Sequence, residues 1–478
     1  MKATKKITIP FVIVAGCFLY SSCNIPKATQ VPVLKTAPDS YNANSDSTNS
    51  ATINWKDFFE DKYLAALIDT AIKNNPEVLM TLQDIEIARN KVRARQGDLL
   101  PSVKAGGGLG AEKVGRYTSQ GAGDASTDIT PGKEVPEVLT DMSLGITTTW
   151  EADVWGKLRS AKKAAFARYL GTMEARNFAI TNLVAELANS YYELLSLDNQ
   201  LEIVQKSIEL QKNQLEILKV QKQAAVVTEL AVKQFEAQLY NAQSLEYEYR
   251  QRIAEMENKI NFLAGRYPQK IERDKSKFLD LVPQNIKEGI PSQLLKNRPD
   301  IRQAETELQA TNWDLKMAQK EFYPSLELSA TLGLQAFKPS YLYKLPESLA
   351  FSLLGELAGP VINRKAIIAE YKTANAYQIE AMYEYQKAIL NGVVEVTTEL
   401  SNISNLQNKY TIKSKEVDAL TRSVDIAGEL YKSARANYLE VLTAQRDALS
   451  SKLELVEVRK DQYLAQTNVY KALGGGWK

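Results

Sequence analysis

Histidine is absent from this chain of 478 residues, and cysteine occurs twice, at Cys17 and Cys23. Without histidine the commonest general base and metal ligand are missing, so Ser-His-Asp triads and histidine-ligated zinc or copper are excluded. Two cysteines cannot build a disulfide scaffold or an all-cysteine zinc site. A charge excess is missing too. The 59 Lys+Arg balance 57 Asp+Glu, and a net +2 makes no case for nucleic acid. Mean hydropathy is low, at −0.30. What is present, 44% apolar and 24% charged residues, is globular composition and excludes disorder and collagen. No nucleotide loop or catalytic cluster stands out, so no enzyme, cofactor or metal site is expected. Arg298, Asp300 and Glu305 form a charged group, but they sit at a helix start and read as cap and ion-pair residues.

Three lysines in residues 1–6 precede 16 uncharged residues, 7–22. This is the layout of a secretory signal, too short and too early for a spanning helix. Leu19-Tyr20-Ser21-Ser22-Cys23 resembles the site at which a lipoprotein signal is cut and the cysteine acylated, with Tyr20 where leucine is preferred. Cys23 is the expected lipidation site; Cys17 after Val14-Ala15-Gly16, or no lipid, are the alternatives. Loss of residues 1–22 removes Lys2, Lys5 and Lys6 and turns +2 into −1. Residues 23–54, rich in Pro, Ser, Thr, Asn and Asp, read as a lipidated tether.

Self-similarity organises the remainder. Asn75-Pro76-Glu77 recurs as Arg298-Pro299-Asp300, and Leu100-Pro101-Ser102 as Tyr323-Pro324-Ser325, both 223 residues on. Trp155-Gly156-Lys157 matches Ile362-Asn363-Arg364, Tyr192-Glu193-Leu194 matches Thr398-Glu399-Leu400, and Leu263-Ala264-Gly265 matches Leu473-Gly474-Gly475. Two repeats are expected, 55–264 and 298–478, joined by a connector at 265–297. Each holds a helix after its proline, two strands and a long helical hairpin, at 156–264 and 364–473. No proline interrupts Trp155 to Tyr267, and none lies between Pro360 and Gly474. A helix of about 66 residues is about 100 Å long. Ile203, Ile208, Leu210, Leu215, Ile217 and Leu218 are expected on its apolar stripe, opposite faces rich in Asn, Gln, Ser and Thr.

Four segments alternate with period two: about 102–112, 140–151, 325–335 and 348–358, with Leu354 out of phase. Each has the length of a tilted transmembrane strand. A half-buried soluble sheet has the same pattern. Four strands cannot close a membrane barrel, which needs about eight or more, and open edges are not tolerated in lipid. Either the sheet is soluble or several chains share a barrel, and three would supply 12 strands. Trp150, Phe322, Tyr323, Phe337, Tyr341 and Tyr343 lie at strand ends, where an interfacial girdle or core packing would use them.

Taken together, Asn297-Arg298-Pro299-Asp300-Ile301-Arg302, Phe322-Tyr323-Pro324-Ser325, Trp150-Glu151-Ala152-Asp153-Val154-Trp155-Gly156-Lys157, Gly359-Pro360-Val361-Ile362-Asn363-Arg364, Tyr438-Leu439-Glu440-Val441-Leu442-Thr443 and the Leu473-Gly474-Gly475-Gly476-Trp477 end resemble the TolC-like outer membrane factors. The likeness runs from Trp55 to Trp477, and is to the lipoprotein branch that serves RND-type pumps. It implies a mainly α protein with a membrane β portion, a homotrimer with a 12-stranded β-barrel and an α-helical tunnel. It also implies a belt from 57–73, 265–296 and the C-terminus. The function it implies is the outer membrane exit duct of a tripartite efflux system, lipid-anchored and reaching into the periplasm. Its partners would be a periplasmic adaptor and an inner-membrane transporter. Acidic and polar residues near the periplasmic tip would form the gate, here Asp425, Glu429 and Arg422, with Lys432 and Arg435 as cross-links. The adaptor-contacting tips would be Ala225, Val226 and Val227, with Ala434, Arg435 and Ala436. Those turns lack the glycine the family usually places there. A periplasmic coiled-coil structural or adaptor lipoprotein is the alternative, although the lipoyl-like domains of an adaptor are missing.

Overall fold

Segments rich in helix formers and free of proline become uninterrupted helix, because each added residue contributes one more i to i−4 bond. The computed structural model describes residues 26–30, 38–41, 48–275, 278–279, 286–359 and 364–478. Cys17, Cys23, most of the expected tether and Pro360–Asn363 lie outside them. In chain order the main elements are α1 (Lys62–Asn74), α2 (Pro76–Gly97), β1 (Ser102–Glu112), β2 (Leu139–Ala152), α3 (Lys157–Gln223) and α4 (Glu229–Leu263). The second half follows with α5 (Pro299–Lys320), β3 (Ser325–Ala336), β4 (Leu349–Ala358), α6 (Lys365–Lys432) and α7 (Tyr438–Ala472). The fold is mainly α with one four-stranded sheet.

Two compact units form: residues 1–32, 87–169 and 307–382, and residues 33–86, 170–306 and 383–478. The first holds the sheet, in order β1–β2–β3–β4, every pair antiparallel. Its helical core is small. Phe322, 3% exposed, packs edge-on against Tyr371, with Ala318 beside them. Phe322 is therefore a core residue, the outcome its position leaves open beside the girdle; Trp150 and Tyr343 are exposed, and Tyr323, Phe337 and Tyr341 are half-buried. The start of α3 is built by Asp153. Its carboxylate accepts from the Leu158 and Arg159 backbone N–H groups at 2.9 and 3.0 Å and from Arg159 Nε at 2.9 Å. Lys320 Nζ donates to the Gly156 carbonyl at 2.9 Å, where Gly156 turns through φ +77. The Trp-Glu-Ala-Asp-Val-Trp-Gly motif is thus a strand-to-helix joint.

The second unit carries the larger cores. One gathers Phe58, Leu64, Ile68, Leu187, Tyr191, Leu194, Ile260, Tyr463 and Tyr470; Phe58 stacks on Tyr470 at 3.9 Å. Each fully buried large apolar side chain in this cluster contributes about 1.5–3 kcal/mol. Another core lines the hairpin α3–α4 with Leu197, Val204, Ile208, Leu215, Leu218, Val232, Phe235 and Leu239. Leu210 and Ile217, expected on the same stripe, are about half exposed. Each lies two residues, about 200° of helix rotation, from a buried neighbour, Ile208 or Leu215.

The internal repeat has a geometric counterpart. Asn75 Nδ2 donates to the last carbonyl of α4, Leu263 O, at 2.9 Å; Arg298 Nη1 donates to that of α7, Ala472 O, at 2.9 Å. Gly265 (φ +65) packs on Asn74 and Gly474 (φ +92) on Asn297, so closely that a Cβ at either would stand within 2.6 Å of backbone. The equivalent of Gly265 is thus Gly474, one residue from the match expected. Arg298, 5% exposed, also forks onto Asp300 at 3.0 and 2.6 Å and reaches the half-exposed Glu395 at 2.6 Å, so its buried guanidinium is held by charge-assisted bonds on both sides.

Candidate functional site

Two features carry functional information, and the sheet is the first. Its register sorts side chains by face. Val103, Ala105, Gly107 and Leu109 stand opposite Thr148, Ile146, Leu144 and Met142. Leu144, Ile146 and Trp150 in turn stand opposite Leu334, Leu332 and Leu328. Leu326, Ala330, Leu332 and Leu334 meet Leu357, Leu353, Phe351 and Leu349. One face is therefore apolar across all four strands, and it is open: Leu109 is 77%, Phe351 81% and Leu353 80% exposed. Soluble proteins do not leave a contiguous apolar sheet of this extent uncovered.

The opposite face is polar. Gln335 donates to both Asp141 oxygens at 3.0 Å, Thr147 and Thr331 hydroxyls meet at 3.3 Å, and those of Ser102 and Thr149 at 2.7 Å. Leu354, opposite Ser329, and Leu139, opposite Glu112, are its large apolar residues. Two rows cross the strands on this face. Gly106, Gly145, Gly333 and Ala350 are successive register partners, and so are Glu151, Glu327 and Glu356. Lys157 neutralises one end of the acidic row, through Glu151 at 2.7 Å. Trp150 Nε1 donates to Leu99 O at 3.1 Å and Trp155 Nε1 to Pro324 O at 2.7 Å, and Trp155 stacks on Tyr323 at 5.2 Å. These rings keep apolar surface exposed while their N–H groups are satisfied, as interfacial aromatics do. The outer edges, β1 and β4, have no strand partner among the described residues.

Nearby, burial and a hydrogen bond shared with Glu370, together with that neighbour's repulsion, hold the Glu321 carboxyl above its ordinary range. Among the described residues no helix is long and apolar enough to cross a membrane, and no group of three or more His, Cys, Asp or Glu is placed to hold a metal.

The second feature is the pair of hairpin tips. Helix α3 ends with Val226 N–H on Gln221 O and Ala225 N–H on Lys222 O, both 2.9 Å. Helix α6 ends with Arg435 N–H on Leu430 O at 2.8 Å and Ala434 N–H on Tyr431 O at 3.0 Å. This is the Schellman arrangement, which requires a left-handed residue at the first position past the cap. Alanine fills it at both tips, Ala225 at φ +58 and Ala434 at φ +59. The missing family glycines leave the turn itself intact. Thr228 and Asn437 then cap α4 and α7.

Of the expected tip residues, Ala225, Val226, Ala434 and Arg435 are exposed, whereas Val227 and Ala436 are half-buried. Tyr431 Oη donates to Gln221 Oε1 at 2.6 Å and joins the two tips, a pair that no local pattern announces because 210 residues separate them. Arg422, Asp425 and Glu429 share one exposed stripe of α6 at spacings of three and four, and form no ion pair among the described residues. Lys432 is exposed as well.

Known proteins are similar to this chain in sequence and in fold. The family model described as outer membrane efflux protein matches residues 67–266 and 290–475. A solvent efflux pump outer membrane protein, SrpC of Pseudomonas putida, is 27% identical over 471 residues, 98% of this chain and 97% of that one. The cation efflux system protein CusC of Escherichia coli O6:H1 is 23% identical over 475 residues, 98% of each. A crystal structure of a membrane protein from Pseudomonas aeruginosa superposes with a TM-score of 0.84, at 24% identity, covering 95% of this chain and all of that one.

Proposed function

The chain belongs to the outer membrane efflux protein family, and from that premise we propose that three copies build one exit duct through the outer membrane. The observation that carries this reading is the four-stranded sheet with one apolar exposed face, one polar face and two edges unpaired among the described residues. In lipid an open edge leaves backbone donors and acceptors unsatisfied at several kcal/mol each. Pairing the β1 edge of one copy with the β4 edge of the next satisfies both. Three copies supply twelve strands, within the range of closed membrane barrels. The apolar face then meets lipid and the polar face water. The adaptor alternative fails, because the family match covers both repeats and not a shared coiled coil alone.

The duct is passive. Helical hairpins in the periplasm meet an adaptor and an inner-membrane transporter of the RND type, and the work of transport comes from that transporter. The stripe Arg422–Asp425–Glu429, without ion-pair partners among the described residues, supplies charges for contacts between neighbouring copies that hold the tip closed. Ala225, Val226, Arg435 and their neighbours meet the adaptor. Acylation at Cys23 anchors each copy to the membrane.

The test is assembly and conduction. Protein extracted from outer membranes should run as a heat-modifiable trimer and open pores in planar bilayers. Cysteines along β1 and β4 should cross-link copies edge to edge. A stable monomer without conductance would overturn the reading.

A further inference from the structure

The described part of the N-terminal segment, residues 26–30, is held at one point. Thr29 N–H donates to Asn375 Oδ1 at 2.9 Å, and Asn375 Nδ2 donates to Thr29 O at 3.4 Å. Thr29 and Asn375 belong to the same unit. Asn375 projects from α6 and is 5% exposed, while Lys27, Ala28, Thr29 and Gln30 are exposed. One carboxamide thus reads both backbone groups of a single residue, as a neighbouring strand would. This contact takes an extended peptide without regard to its side chains.

We propose that Asn375 is a docking site for the chain's own N-terminal segment, a clip that sets how far an N-terminal anchor reaches. Cys23 stands six positions before Thr29, and six extended residues span at most about 21 Å. Asn375 is ten residues into α6, about 15 Å from Lys365 at its start. The slack therefore covers the distance to the strand end of the helix and little more. An anchor at Cys23 is confined beside its own copy's wall, at the level where α6 begins. A tether of residues 23–54 without the clip could extend to about five times that span. The reach argument rests on lipidation at Cys23; the clip does not.

The experiment uses the full-length protein in outer membrane fragments. Limited trypsin digestion is followed by mass spectrometry of the Lys27–Ala28 bond, in the native protein and in Asn375→Leu, which keeps the side-chain volume and removes both bonds. Cleavage about tenfold faster in the variant is expected, with the trimer band unchanged as evidence of folding. Because a core-facing substitution could disturb α6, amide hydrogen exchange of the segment spanning Thr29 is measured in the native protein too. Slowed exchange at Thr29 is expected. Equal cleavage in both proteins, or exchange of Thr29 at the rate of a free peptide, overturns the clip. The mass of the released N-terminal peptide reports acylation separately. An unacylated peptide with the protection intact would remove the anchor and leave the clip standing.

Discussion

The row Gly106–Gly145–Gly333–Ala350 makes the sheet sensitive at one level and tolerant next to it. A Cβ built on Gly145 would stand 2.7 Å from Leu332 O and 2.9 Å from Gly333 Cα; one on Gly333 would stand 2.6 Å from Leu144 O and 2.8 Å from Gly145 Cα. On Gly106, in the same row, it would meet nothing within 4 Å. Ordinary contact begins near 3.4 Å, so alanine at Gly145 or Gly333 forces β2 and β3 apart by more than half an ångström. The atoms in the way are backbone, which cannot rotate aside. Overpacking of this kind costs about 1–3 kcal/mol per chain, less up to about 1 kcal/mol returned by stiffening the unfolded chain. In a threefold assembly the defect is present three times. Gly145→Ala and Gly333→Ala should therefore lower the temperature at which the trimer dissociates in detergent by several degrees, while Gly106→Ala leaves it unchanged. The assay is heat-modifiability on gels across a temperature series, with all three variants side by side. If Gly145→Ala melts with Gly106→Ala, the backbone approach is not what limits the sheet and the reasoning fails.

Three other outcomes are expected. Ala225→Gly or Ala434→Gly relieves an L-residue held at φ +58 or +59 and should stabilise its hairpin by about 0.5–1 kcal/mol, read as slower protease nicking at the tip; no change would mean the left-handed strain is already offset. Glu321 is held above its ordinary value of 4.5, so the folded chain keeps a proton that the unfolded chain has released. Its contribution is complete below 4.5 and is lost as pH rises through the raised value, so Glu321→Gln should raise thermal stability at neutral pH and not at pH 4. Asp425→Ala with Glu429→Ala should increase resting conductance and weaken cation preference in planar bilayers; unchanged single-channel behaviour would remove both from the gate.

Much of the molecule is legible in its order of residues because the deciding interactions are local. Helices α3, α4, α6 and α7 follow from more than a hundred positions per repeat without proline, and every backbone bond in them closes within four residues. The strands follow from period-two alternation, and even the acidic and glycine rows are written in phase with it. The sequence leaves Phe322 open between girdle and core for the opposite reason. At a strand end, an aromatic reads alike whether Tyr371 or lipid will cover it. Leu210 and Ile217 mislead because apolar character alone does not say which of several faces a long helix buries.

The sequence by itself determined the element types, since periodicity and capping act over tens of residues, and the repeat and the family, since both are matches in the order of residues that require no contact to be known. Only the tertiary structure decided which residues meet across greater separations. Gly145 against Gly333, Gln221 with Tyr431, Arg298 with Glu395 and Thr29 with Asn375 are 97 to 346 positions apart. Such pairs depend on strand register and helix rotation, where one residue of slip or a 100° turn exchanges one partner for another, and no local pattern encodes that choice.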